Sequence, residues 1–220
     1  MTRHHAQFDT MSLYTRQGER KYLTSAERKK FLDALHVIYE PTERTFCEMI
    51  HWTGCRPSEA LALRPIHIDL TESLVILKSL KKRGQQKGRH YRPVPIPPDF
   101  THRLAETHGL TALQKVGNTE SSPRLWSFGR TKGWKLIRRV MEAADLHGAK
   151  GCARGLRHAL GVHAAICNIP ESRLQSWLGH ASLETTSIYL DAFGPEDRAI
   201  AERMWETPST SITPGGVPHD

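Results

Sequence analysis

The side chains in this sequence best placed to do chemistry are mostly cations. Lys78 to Arg92 holds seven Lys or Arg and no Asp or Glu. With Gly84 and Gly88 as turn signals it reads as a basic hairpin presenting Lys78, Lys82, Arg83, Lys87 and Arg89. A second run, Arg130 to Arg139, holds five more on a predicted helix, among them Lys132, Lys135 and Arg138, with Trp134 and Ile137 as its anchors. One such run is usually a solvated face; two favour a groove that follows phosphates. Farther on, Arg154, Gly155, Leu156, Arg157 and His158 open a predicted helix with Leu156, Leu160, Ala164 and Cys167 on its apolar side. Arg154 and Arg157 are three apart, so both can project from one edge of the first turn. Gly179 suits a helix C-cap that delivers His180 into a turn, and Tyr189 follows nine residues later. Singly, a surface Arg, a capping His and a half-buried Tyr are common.

Other chemistries are disfavoured by what the sequence lacks. It contains no G-x-x-x-x-G-K-[ST] loop, no G-x-G-x-x-G after a strand and no G-x-S-x-G elbow, which argues against nucleotide-driven, hydride and serine-nucleophile reactions. Cys47, Cys55, Cys152 and Cys167 have no C-x-x-C spacing and read as buried reduced thiols. There is no H-E-x-x-H among the 13 histidines, so neither a metal nor any other cofactor is expected. At 220 residues the chain can bury one sizeable core, and its net charge of +8 favours polyanionic partners. The longest strongly apolar run, Leu74 to Leu77, is far short of the roughly 20 residues of a membrane helix, and no secretory h-region follows the N-terminus. A cytoplasmic protein without a membrane partner is the expectation.

The elements that must hold these residues can be read from period and caps. Residues 1–21 are polar and read as an extended or loosely docked arm. Thr24 and Glu27 form a capping-box pattern ahead of Phe31, Leu32, Leu35, Ile38 and Tyr39, which predicts a helix over 24–39 with those residues on its apolar face. Pro41 ends it; Phe46, Met49 and Ile50 mark a second helix that stops near Gly54, and Pro57 starts a third. Three β-like runs, 66–70, 73–77 and 91–96, suffice for a small antiparallel sheet. Helices are then expected near 99–108, 130–145, 154–168, 170–178, 182–190 and 195–206, with a loop at 116–124 and a disordered tail over 207–220. Fold class is therefore α+β, mostly helical, with one domain over 22–206.

Taken together, Thr53-Gly54-Cys55-Arg56-Pro57-Ser58-Glu59-Ala60-Leu61, Gly155-Leu156-Arg157-His158, Leu178-Gly179-His180 and Thr185-Thr186-Ser187-Ile188-Tyr189 resemble, in order and spacing, the tyrosine recombinase (phage integrase) family. The resemblance runs from about Leu23 to Glu206, the family's catalytic domain. It implies that Arg56 and Arg157 bind the non-bridging oxygens of a scissile phosphate, that His180 is the family's later histidine, and that Tyr189 is the nucleophile. It also implies a general-acid lysine in the hairpin, Lys81 with Lys82 as the alternative, and a supporting role for Glu59 and His158. Attack by a phenolate on a phosphodiester adds negative charge to a five-coordinate transition state, which fixed guanidinium groups stabilise without a metal. The product would be a 3′-phosphotyrosyl link and a 5′-hydroxyl, with the bond energy stored for rejoining. A free Tyr is only about one part in a thousand ionised at neutral pH, so the cationic cluster is expected to favour the phenolate.

The resemblance also carries departures and open alternatives. Arg154 stands where the family usually has His; an arginine is no proton-transfer base, so it is expected to contact phosphate, which leaves proton handling to His180 and Lys81. The family's N-terminal helical domain has no counterpart in 22 residues, so site recognition is expected to be weaker, shorter or helped by an accessory DNA-binding protein. Double-stranded DNA is the implied substrate and a tetramer on two sites the implied assembly, with the segment after Pro195 docking on a neighbouring subunit or packing within its own. A type IB topoisomerase-like enzyme and a non-catalytic DNA-binding regulator remain the alternatives. Arg56 as a helix cap, Arg157 in a surface pair, His180 as a turn residue and Tyr189 as core packing are the structural alternatives, residue by residue.

Overall fold

The computed structural model describes residues 12–79, 91–115 and 122–190, together with 198, 201 and 202. Residues 1–11 of the arm, Lys81, Lys82, Arg83, Lys87 and Arg89 of the hairpin, most of the expected helix over 195–206 and the tail after 206 lie outside the described residues. Helix α1, Ser25–Asp33, starts at Thr24. The Thr24 hydroxyl accepts from the Glu27 amide at 3.2 Å while the Thr24 amide donates to the Glu27 carboxylate at 2.8 Å, which closes the capping box. Glu27 also takes Arg20 and Lys150 as ion-pair partners. Burial raises its pKa, but Lys150, the Thr24 amide and Arg20 outweigh that and bring it down to about 2.

The helix expected over 24–39 is shorter. At Asp33 it tightens into a 3-10 turn, Ala34–Val37, which keeps Leu35 and Ile38 in the core but leaves Tyr39 80% exposed. That corrects Tyr39's place on an apolar face: a 3-10 turn advances by 3.0 residues instead of 3.6, so the helical stripe no longer reaches it. Leu13, in the segment read as an arm, is buried in the core beside Tyr22 and Leu23.

Helix α2, Pro41–Thr53, has Pro at its first position and Gly54 in the left-handed region at its end. Burial of six consecutive residues, Thr45 to Ile50, makes it the central helix, packed by later helices on several sides. A one-turn helix, α3 (Pro57–Ala60), follows at once. Strands β1 (Ile68–Asp69), β2 (Leu74–Lys78) and β3 (Tyr91–Pro95) form an antiparallel sheet in the order β1-β2-β3. The register pairs Val75 with Val94 and Lys78 with Tyr91. Pro93 and Pro95, without N–H groups, are tolerated because β3 is an edge strand.

Helix α4 (Pro98–His108) packs on α2, and α5 (Leu110–Lys115) packs on α4 and the turn before β1; the second was not expected from the sequence. Helix α6, Arg130–Ala143, is anchored by Leu136, Ile137, Val140 and Met141. Trp134, read as an anchor, is instead 59% exposed. Helix α7 (Ala153–Ile166) packs lengthwise on α2. Helices α8 (Glu171–Leu178) and α9 (Glu184–Ser187) complete the described chain, α9 being only four residues of the nine expected. Of the four thiols, Cys47 and Cys55 are buried, whereas Cys152 is partly and Cys167 fully exposed, which corrects the reading of all four as buried. Cys167 falls at the C-cap of α7, past the last buried turn. Among the described residues no helix is long and apolar enough to cross a membrane.

Candidate active site

Two left-handed glycines set the geometry. Gly54, φ 57°, ends α2, and Gly179, φ 66°, ends α8. Each turn leaves carbonyls at the negative end of a helix without intrahelical partners. Arg157, in the first turn of α7, fills that need: one guanidinium nitrogen donates to the Gly54 carbonyl at 2.8 Å and the other to the Leu178 carbonyl at 2.7 Å. Only 8% exposed, the side chain is thus locked between two helix ends. Burial lowers its pKa to about 10, which still leaves it charged at neutral pH. It is neither in a surface pair nor free to rotate.

Arg56 emerges from the Gly54 turn as the N-cap of α3. Its amide donates to Glu59 at 3.0 Å, and its guanidinium to the same carboxylate at 3.1 Å. The Glu59 carboxylate is completely buried and is shared with Arg92, which donates to it at 2.7 and 3.4 Å. Burial raises the Glu59 pKa, but the Arg92 and Arg56 contacts outweigh it and hold the carboxyl below its usual range. Arg92 in turn donates to the Trp177 carbonyl and the Ser79 hydroxyl. A side chain at Gly179 would press on its guanidinium at 3.0 Å. Arg92 therefore ties the sheet, α3 and the α8 turn together. Arg92 had no role assigned from the sequence; the alternation of β3, which also sends Val94 inward, was the signal for its burial.

Arg56 and Arg157 open onto a cavity of about 990 Å³. Among the described residues Arg130, Arg138 and Arg154 also line it, and no Asp or Glu does. Exposed Arg154 lies one turn before Arg157 at the start of α7, where the helix dipole adds to the attraction for an anion. Helix α6 supplies the facing wall, with Arg138 over the ring of Trp134. Of the cations expected to contact a backbone, Lys132 pairs with Glu43, Lys135 is exposed and Lys78 lies over Tyr91; none of the three lines the cavity.

Tyr189, one residue beyond the C-cap of α9, closes the inner wall. Although it lines the cavity, it is only 2% exposed. Its hydroxyl lies 3.3 Å from His158 Nδ1, and its ring stacks at 19° on that of His180. His180 Nδ1 is held by Thr186 Oγ1 at 2.9 Å, a contact that the sequence did not reveal. Burial pushes the Tyr189 phenol up to about 12, against the opposing pull of Arg157 and Arg56. The cationic cluster does pull toward the phenolate, as expected, but in this state desolvation outweighs it. Burial, reinforced by Arg157, lowers His158 to about 4 and His180 to about 3, so both rings are neutral at physiological pH. In heteronuclear spectra assigned with His158→Gln and His180→Gln, their carbon shifts should stay flat from pH 8 to pH 5.5. A midpoint above 6 for either would contradict the buried geometry.

Burial favours the neutral form of both partners, raising the Tyr189 phenol and lowering the His158 imidazole. The contact holds a neutral phenol in place. Among the described residues no group of three or more His, Cys, Asp or Glu side chains is arranged to hold a metal ion.

Comparison with known proteins gives a consistent match. Residues 21–194 match the phage integrase family. The tyrosine recombinase XerD of Xanthomonas axonopodis pv. citri is 28% identical over 158 residues, covering 67% of this chain and 50% of that protein. In solved structures, XerA recombinase superposes with a TM-score of 0.67 at 21% identity, over 85% of this chain and 66% of that one. XerH bound to a palindromic difH substrate in a post-cleavage complex gives 0.65 at 25% identity, over 84% and 53% respectively. The chain spans about half the length of the curated relatives it matches.

Proposed function

Because this chain belongs to the phage integrase family, we propose that it carries out site-specific DNA recombination through a covalent link between Tyr189 and a 3′-phosphate. The observation that carries this reading is a tyrosine set in the wall of a cavity that, among the described residues, five arginines and no carboxylate line. Such a cavity suits a phosphodiester, whose charge rises on attack. Arg157 and Arg56, each fixed from behind, would take the non-bridging oxygens, and Arg154 a third contact. The Tyr189 oxygen bonds to phosphorus and the bond from phosphorus to the 5′-oxygen breaks. The electron pair leaves on that oxygen, which takes a proton from Lys81 or Lys82, and the phenolic proton passes to His158 Nδ1, which meets the hydroxyl. Attack by the 5′-hydroxyl of another strand runs the same steps in reverse, so no energy source is consumed.

Phosphate oxygens hydrogen-bonded to Arg157 and Arg56 displace water from the cavity, and the phenolic proton leaves only as Tyr189 attacks, the charge that builds on phosphorus being taken up by those arginines. His158 touches the hydroxyl and is assigned to orienting it and taking its proton on attack, while His180 covers the ring and holds it in place. His180 is also near enough to the phosphate-binding arginines to feel their charge. The substrate is proposed to be double-stranded DNA with inverted half-sites, in keeping with the palindromic duplex held by the XerH neighbour. Exchange between two duplexes requires four cuts, and thus four copies of the chain on two sites.

Nicked suicide duplexes built from candidate inverted-repeat sites test this reading. The wild type should trap a covalent adduct stable to denaturing electrophoresis. Tyr189→Phe should trap none, while Tyr91→Phe, altered in strand β3, should trap it as the wild type does. An adduct that persists in Tyr189→Phe would refute the assignment.

A further inference from the structure

We infer that Gly161 is a positioning residue for the Tyr189 nucleophile, providing a bare stretch of helix on which the phenol ring lies. The inference rests on the reading of Tyr189 as the attacking group. Gly161 sits in the interior of the α7 helix, three residues after His158 and on the same face. A glycine there weakens the helix, and its φ does not fall in the left-handed region, so the backbone conformation does not call for it. What calls for it is space. A Cβ at position 161 would stand 2.5 Å from Cδ1 and Cε1 of the Tyr189 ring and 2.6 Å from Cδ2. Carbon atoms in ordinary contact keep about 3.5 to 4 Å, so the ring would have to withdraw by about 1 Å.

The ring has little room to withdraw. Its other neighbours are His180, stacked at 6.1 Å between centroids and itself tied to Thr186, and His158, whose Nδ1 meets the hydroxyl. Displacement off α7 therefore pulls the hydroxyl from His158 and shifts it relative to a phosphate bound by Arg157 on the same helix. Helix α7 thereby carries the phosphate ligand Arg157, the hydroxyl partner His158 and the ring support Gly161 within five residues, so the nucleophile and its target are registered on one rigid element. A misplacement of this size at a reacting atom costs on the order of 100-fold in rate.

The test separates position of the nucleophile from integrity of the phosphate pocket. In the full chain, Gly161→Ala should keep its melting temperature and its affinity for the suicide duplex, yet form the adduct about 100-fold more slowly. Hydrogen peroxide then serves as a diffusible nucleophile in Tyr189→Ala, which removes the ring that the new methyl group would strike. Tyr189→Ala and Tyr189→Ala/Gly161→Ala should cut the duplex with peroxide at rates within twofold of each other. Adduct formation by Gly161→Ala at the wild-type rate overturns the inference, as does a proportionate loss of peroxide cleavage in the double variant. Absence of any wild-type adduct, with no peroxide cleavage by Tyr189→Ala, overturns the functional reading and this inference with it.

Discussion

Replacing Arg157 with lysine is expected to slow formation of the Tyr189 adduct by about 10³-fold while leaving general affinity for DNA nearly unchanged. Lysine keeps the charge but loses the planar fork. In the native chain two guanidinium nitrogens are fixed by carbonyls 103 and 21 residues away in sequence, and the remaining donors are left aimed without rotational freedom. An ammonium group cannot satisfy the Gly54 and Leu178 carbonyls and a phosphate in the same geometry. The orphaned carbonyl would then draw in water or swing its turn, and both helix ends belong to the site. Single-turnover adduct formation on a nicked duplex, beside equilibrium binding to the same duplex, checks this. A lysine variant that cleaves within tenfold of wild type would mean that charge alone matters and the clasp of two helix ends does not.

The second large effect concerns stability. Glu59→Gln should destabilise the fold by about 3 kcal/mol or more, because it leaves Arg92, only 6% exposed, without a counter-charge. The same pair governs part of the acid response. The folded-state pKa of Glu59 lies below its unfolded value, so its contribution is complete above about pH 4.5 and is lost as pH falls through the folded value. The depressed histidines act at higher pH. His51, His158 and His180 stay neutral in the fold while an unfolded histidine gains its proton near 6.5, so their contribution begins to fall below about pH 6.5. Chemical denaturation from pH 8 to pH 3 should therefore show decline in two windows. Glu59→Gln should lose only part of the lower one, Glu27 supplying the rest. An unchanged acid limb in that variant would mean that the carboxylate is not ionised in the fold.

Helix ends and strand faces were the most legible features of the chain, since they depend on neighbours a few residues apart. The Thr24 to Glu27 box, Pro57 at the first turn of α3, the helix ends at Gly54 and Gly179, and the three-stranded sheet all stand where local pattern put them. The misreadings share a cause. Tyr39 and Trp134 were placed on buried faces by periodicity, but a 3-10 turn and a helix bordering a cavity expose them. Helix α5 carries little apolar period of its own and forms where Gln114 donates to the Pro65 and Ile68 carbonyls. Arg92 received no role from the sequence because the carboxylate that holds it, Glu59, lies 33 residues earlier.

From its amino-acid order alone the protein could be assigned to a chemical class, because residue type and spacing along one helix or turn decide which groups can cluster: Arg154 with Arg157, His180 after Gly179, Tyr189 beyond. Folding in three dimensions decided the states of those groups. Burial made Tyr189 a neutral phenol and its two histidine neighbours neutral rings. Helix ends far apart in sequence locked Arg157, and the shared carboxylate of Glu59 locked Arg56 and Arg92. Desolvation and long-range hydrogen bonds depend on what the whole chain packs around a side chain, and no local pattern of letters encodes that.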